Sequence, residues 1–137
     1  MTENGLNELE KLHKEYESDV RITEFTINDV AMKVPTIKPK WLAIYWRYEN
    51  DRDILQKEIQ KLESGERNLT RTKLKIELSS KELEAIQLKW SKELLEKKER
   101  LEDLEFIIGR LSKYFDLIKW FGQDVKSAMD AIKMEMG

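Results

Sequence analysis

The stretch that decides the fold is SSKELEAIQLKWSKELLEKKERLEDLEFIIGRLSKYFDLIKWFG, residues 79–122. It opens on Ser79-Ser80-Lys81-Glu82, the pattern of a capping box. In that motif the serine hydroxyl accepts the amide of the third helical residue, while the glutamate reaches back to the cap amide. Leu83, Ile86, Trp90, Leu94, Leu101, Leu104, Ile108, Leu111, Phe115 and Ile118 then recur by threes and fours, broken only at Lys97. This period predicts an amphipathic helix from about 80 to 121, on the order of 60 Å long, with Gly122 as its stop. A helix with one apolar stripe is stable only when that stripe is covered.

Towards the C-terminus, Val125, Met129, Ile132 and Met136 predict one more short helix with a methionine-rich face. Towards the N-terminus, residues 66–78 carry two periods at once. Leu74, Ile76 and Leu78 alternate with Lys73, Lys75 and Glu77, as in a strand, while Leu69 and Ile76 continue a helical seven-residue spacing. Before them, Trp41, Tyr48, Leu55 and Leu62 are seven apart, with Ile44, Tyr45 and Ile59 between them and Arg52 breaking the row. They predict a second helix from Lys40 to about Ser64, with Pro39 in its first turn and Gly65 ending or kinking it.

Pro35 and Pro39 are expected to bracket a turn. Thr26 to Lys33 reads as a short helix with Thr26 as cap and Asp29 in the N-terminal turn. Leu6, Leu9, Leu12 and Tyr16 read as another over residues 5–17, interrupted at Ser18-Asp19 and followed by a β-branched Val20-Arg21-Ile22-Thr23 suited to extended backbone.

The expected architecture is therefore mainly α. Long amphipathic helices form a coiled-coil-like helical hairpin, with short N-terminal helices and one or two short strands as the alternative for 66–78. The helix at 40–64 would cover part of the longer one, leaving several turns for copies of the same chain. The 137 residues fit one domain. Residues 1–78 form a helical N-terminal part with the basic segment, and 79–137 form the element that associates.

Charged residues make up 38% of the chain, yet the net charge is only −2, so the charges read as solvated helix faces rather than a polybasic tail. No cysteine is present, which excludes disulfides and thiolate metal sites and fits a reducing cytoplasm. Neither a signal peptide nor a membrane-length apolar run is visible, so no membrane association is expected.

No nucleophile and base can be assembled, because His13 is the only histidine and no glycine-rich phosphate loop occurs. Glu10 and His13 have the Glu-x-x-His spacing of di-iron bundles, but such sites need a second copy of the motif and further glutamates. An enzyme, a metal site and a cofactor are therefore not expected. The basic positions carry more chemistry. Lys57 and Lys61 lie one turn apart, and Arg67, Arg71, Lys73 and Lys75 follow, opposed by Glu66 and Glu77. Such a cluster is either a phosphate-contacting patch or an ordinary charged face. Of the four tryptophans, Trp41 and Trp90 sit on apolar stripes. Trp46 and Trp120 suit core or interface positions best, with base stacking as the other use.

The order of these elements resembles the UvsY family of recombination mediators of T4-like bacteriophages. The resemblance runs from Leu9-Glu10-Lys11 through Asp19-Val20-Arg21-Ile22, across Pro35, to Lys40-Trp41-Leu42 and a lysine- and glutamate-rich helix ending at Ser64-Gly65. It resumes at Leu78-Ser79-Ser80 and continues to Phe115-Asp116-Leu117-Ile118-Lys119-Trp120. The resemblance implies a protein of the bacterial host cytoplasm that binds single-stranded DNA as a ring-like homo-oligomer, a hexamer or heptamer. It also implies help in loading a RecA-like recombinase onto strands coated by single-stranded-DNA-binding protein. Lys57 and Lys61 stand nearest the family's DNA-contacting positions. Leu62-Glu63 replaces the aromatic pair before Ser-Gly and Ile59 replaces a basic residue, so Arg67, Arg71, Lys73 and Lys75 are the other expected contacts. Assembly is expected to use Trp90, Leu94, Leu101, Leu104, Ile108, Leu111, Phe115 and Ile118.

Overall fold

Thr2 caps the first helix: its hydroxyl accepts the Gly5 amide at 3.1 Å, and Glu3 follows in the first turn. The computed structural model describes residues 1–21, 27–73 and 80–136, and these form three helices with no strand among them. They are α1 (Glu3–Val20), α2 (Ile27–Lys73) and α3 (Ser80–Met136). None is long and apolar enough to cross a membrane, among the described residues.

Each helix runs further than its local punctuation suggests. α1 continues through Ser18 and Asp19 to Val20, Arg21 is extended, and Ile22 and Thr23 lie outside the described residues. Asp19 is held there by tertiary bonds, accepting from the Trp41 indole Nε1 at 3.0 Å and from Lys40 Nζ at 2.6 Å. The expected turn at Pro35 and Pro39 does not form, because both prolines lie inside α2. An interior proline costs about 3 kcal/mol. Here Ile37 and Trp41, 3% and 1% exposed, are buried on the opposite side of α2 from the solvent-facing prolines. Each such side chain recovers about 1.5–3 kcal/mol. The Thr36 hydroxyl also bonds the Lys33 carbonyl.

Gly65 does not end α2, which continues to Lys73, and Gly122 does not stop α3, which absorbs the expected last short helix. Neither glycine has positive φ, so neither makes the left-handed cap that ends helices. Both face the partner helix with room for a Cβ. A Cβ at Gly122 would touch Val34, and one at Gly65 would approach the Trp90 indole. The helical alternative therefore holds for residues 66–73, whereas 74–79 lie outside the described residues, as do Ile22 to Thr26, including the Thr26 cap.

α2 and α3 pack along most of their lengths in opposite directions, pairing Gly65 with Trp90, Glu58 with Lys97, Lys38 with Phe115 and Val34 with Gly122. Because α2 begins thirteen positions before the expected Lys40, it covers turns of α3 that a helix starting at Lys40 would leave without an intramolecular lid. Lys97, the break in the α3 stripe, is answered by Glu58 Oε2 at 2.8 Å. Arg52, the break in the α2 row, pairs with Glu49 and Asp53.

α1 closes the fold near the middle of α3. Tyr16 stacks on Tyr114 at 4.1 Å, and Trp41 meets both rings edge-on at 5.7 and 5.9 Å. These aromatic contacts add roughly 0.5–1.5 kcal/mol each beyond their burial. Around them the core holds Leu12, Ile37, Tyr48, Leu104, Ile107, Ile108, Leu111, Ile118, Phe121 and Val125.

Candidate nucleic-acid and assembly surfaces

The polar contacts of the fold concentrate where α1 meets α3. Asp103 is 1% exposed and accepts from the Thr2 amide at 3.0 Å and from the Thr2 hydroxyl. Burial pushes its carboxyl up, but the two Thr2 bonds outweigh that and hold it below the usual carboxylate range. One turn earlier, Arg100 grips Glu8 with two nitrogens, at 2.8 and 3.3 Å, while the Tyr48 hydroxyl donates to the same carboxylate at 2.6 Å. Burial again raises Glu8 and the Arg100 and Tyr48 bonds lower it further, leaving it below its ordinary value. Burial and the Glu8 bond push the Tyr48 phenol up to about 12. This is structural chemistry, with every charge answered.

His13 belongs to the same seam. Its Nδ1 lies 2.6 Å from the Tyr114 hydroxyl and its Nε2 lies 2.8 Å from Glu17. Glu17 thereby favours the proton on Nε2, leaving Nδ1 to accept from Tyr114. A shallow cleft of about 420 Å³ runs past it, lined by Glu10, Lys14, Glu17 and Arg110 among others. With both ring nitrogens engaged, His13 is not disposed as a ligand. No group of three or more His, Asp or Glu among the described residues could hold a metal ion.

The basic segment has a different setting. Lys57 and Lys61 are exposed on α2, and neither forms an ion pair among the described residues. Two nearby acids are engaged with α3, Glu58 with Lys97 and Glu63 with Lys98, while Asp53, one turn before Lys57 on the same face, pairs with Arg52. The helical backbone carries on through Arg67, Arg71 and Lys73, while Lys75 lies outside the described residues. At 3.6 residues per turn, positions 57, 61, 67 and 71 share an arc of about 120°, and 73 falls on the opposite side. The same arc contains Trp46, whose indole is 61% exposed. The four basic positions are thus brought to one face together with an aromatic, and Lys73 is not.

The residues expected to associate divide into two groups. Leu104, Ile108, Leu111 and Ile118 are buried in the chain's own core, while Trp90, Leu94, Leu101 and Phe115 are half-buried along the α2–α3 seam. The apolar side chains that α3 leaves exposed are others: Leu88, Leu95, Phe106, Leu117 and Trp120. They went unread because the buried stripe is denser and masks a second, sparser spacing. No protein-family model matches this chain, and no curated protein or solved structure does either.

Proposed function

We propose that this chain is a non-enzymatic single-stranded-DNA-binding protein that works as a homo-oligomer and helps load a RecA-like recombinase. Its substrate would be a strand coated by single-stranded-DNA-binding protein, in the bacterial cytoplasm that the UvsY resemblance implies. The observation that carries the reading is the outer face of α2. Exposed Trp46, Lys57 and Lys61 share one side of a continuous helix with positions 67 and 71, α3 engages Glu58 and Glu63, and Arg52 engages Asp53. Phosphates need cations and bases need a flat apolar platform, and this face offers both in line. A handful of cations on one protomer binds weakly. Repetition of the same face in an oligomer raises avidity without new contacts.

The mediator role is tested by order of addition. A RecA-like recombinase is added to DNA already coated by single-stranded-DNA-binding protein, with or without this chain, and filament growth is followed. Faster filament growth supports the role. Unchanged growth, with DNA binding intact, leaves a DNA-binding protein that is not a mediator. An adaptor acting only through protein contacts is the competing reading, favoured by the exposed apolar row on α3. It predicts no salt-dependent DNA binding at all.

A further inference from the structure

α3 carries a second apolar row that α1 and α2 leave uncovered. Leu88, Leu95, Phe106, Leu117 and Trp120 are 73, 59, 51, 59 and 68% exposed. At 3.6 residues per turn they fall within an arc of about 60°, facing away from the buried row. The row extends roughly 48 Å along the helix, at 1.5 Å per residue. A partner that covers it must be long and straight, and α3 itself is such an element.

The row is self-complementary. When a second copy is turned end for end about an axis through Phe106, residues equally far before and after Phe106 come opposite one another. Leu95 and Leu117 are each eleven residues away, so each leucine meets the other from the second copy. Glu99 and Lys113 are each seven away, and Glu102 and Arg110 are each four away, so both pairs set opposite charges facing. Lys92 and Trp120 are each fourteen away, which brings an ammonium over an indole. Beyond them Leu88 would face Asp124, so the seam closes at Lys92 and Trp120. All these pairs occur twice. Glu99, Glu102, Lys92 and Lys113 are exposed, Arg110 is half-buried, and none is in an ion pair within the chain among the described residues. A parallel pairing would set Glu99 on Glu99 and Lys113 on Lys113, which is repulsive.

We infer that the outer face of α3 is a two-fold interface between two copies of this chain, antiparallel and centred on Phe106. The inference deepens the self-association in the proposed function and is independent of the DNA face. An isologous contact builds even-numbered assemblies. Taken alone it closes at a dimer, and a hexamer of three such dimers requires a second, different interface.

The chain lacks cysteine, which makes the test direct. Single-cysteine variants at exposed positions are treated with a short bismaleimide at a concentration where sedimentation defines the mass. Phe106→Cys should cross-link to itself. Leu95→Cys should not, because antiparallel pairing separates its two copies by about 33 Å, but Leu95→Cys mixed with Leu117→Cys should. Phe106→Asp should reduce the assembled mass at unchanged helical circular dichroism. A wild-type monomer at tens of micromolar overturns the inference. So does self-cross-linking of Leu95→Cys, or an assembled protein in which Phe106→Cys fails to cross-link. None of these measurements contains DNA, so such a failure with salt-dependent DNA binding retained rejects the interface and leaves the DNA reading standing.

Discussion

Gly5 lies directly against the carboxylate of Asp103: a Cβ at residue 5 would stand 2.6–2.9 Å from the three carboxyl atoms. The close approach brings the N-terminus of α1 within bonding range of Asp103, where Thr2 donates twice. Glycine is thus required by tertiary contact and not by backbone conformation.

Gly5→Ala should accordingly destabilise the protein. Overpacking of this kind costs about 1–3 kcal/mol, against the small gain alanine brings to a helix. The urea midpoint should fall, and hydrogen exchange should quicken in α1 before α2 or α3. An unchanged midpoint would show that α1 does not seat on Asp103.

The pH profile follows from the same seam. Asp103 and Glu8 titrate below their ordinary ranges when folded, so their contribution to stability is complete above the unfolded carboxyl values near 4 and is lost as pH falls through the lower folded ones. Stability should drop across that acid window, and Asp103→Asn should flatten the drop. Tyr48 acts at the other end. Its phenol is raised to about 12, so its contribution is complete below about 10 and is lost as pH climbs through about 12. Tyr48→Phe should weaken the alkaline limb without abolishing it, because Tyr16, Tyr114 and Lys40 are also raised on folding, as measured by urea unfolding at each pH.

Trp41→Ala should be the costliest of these changes. The indole is 1% exposed, contacts both Tyr16 and Tyr114, and donates to Asp19. Truncation of a buried aromatic costs about 3–5 kcal/mol, and Asp19 loses one of its two donors, keeping Lys40. Calorimetry should show the loss, with Trp41→Phe in between.

Lys97 and Glu58 should matter far less. Both are substantially exposed, and such pairs contribute about 0–1 kcal/mol. A double-mutant cycle with Lys97→Met and Glu58→Gln should give a coupling under about 1 kcal/mol. Lys97→Met alone should be close to neutral, since it restores the apolar stripe.

Much of the fold is legible from period alone, but the helix ends are not. The start of α3 at Ser80 coincides with the expected capping box, although Ser79 itself lies outside the described residues. The continuation of α2 through Pro35, Pro39 and Gly65 was hidden because local rules count their cost, while burial of Ile37, Trp41 and Ile59 is settled only by the partner helix. α3 beyond Gly122 was readable in principle, since Phe121, Val125, Met129 and Ile132 keep the same spacing. Among the surfaces, the basic cluster is visible as composition, but positions 67 and 71 join Trp46, Lys57 and Lys61 on one arc only because α2 continues past Gly65. The outer row of α3 was missed because eleven-residue steps from Leu95 to Phe106 to Leu117 hide between the denser core positions.

Binding of single-stranded DNA phosphates by the outer face of α2 is tested by a polarisation titration of labelled single-stranded DNA over a salt series, for the wild type and for Lys57→Ala with Lys61→Ala. For the wild type, log affinity should fall linearly with log salt. The double variant should bind more weakly with a shallower slope, each lost phosphate contact removing about 0.7 from it, at unchanged assembly mass. An assembled wild type that shows no salt-dependent binding would rule out a DNA-binding role for this face.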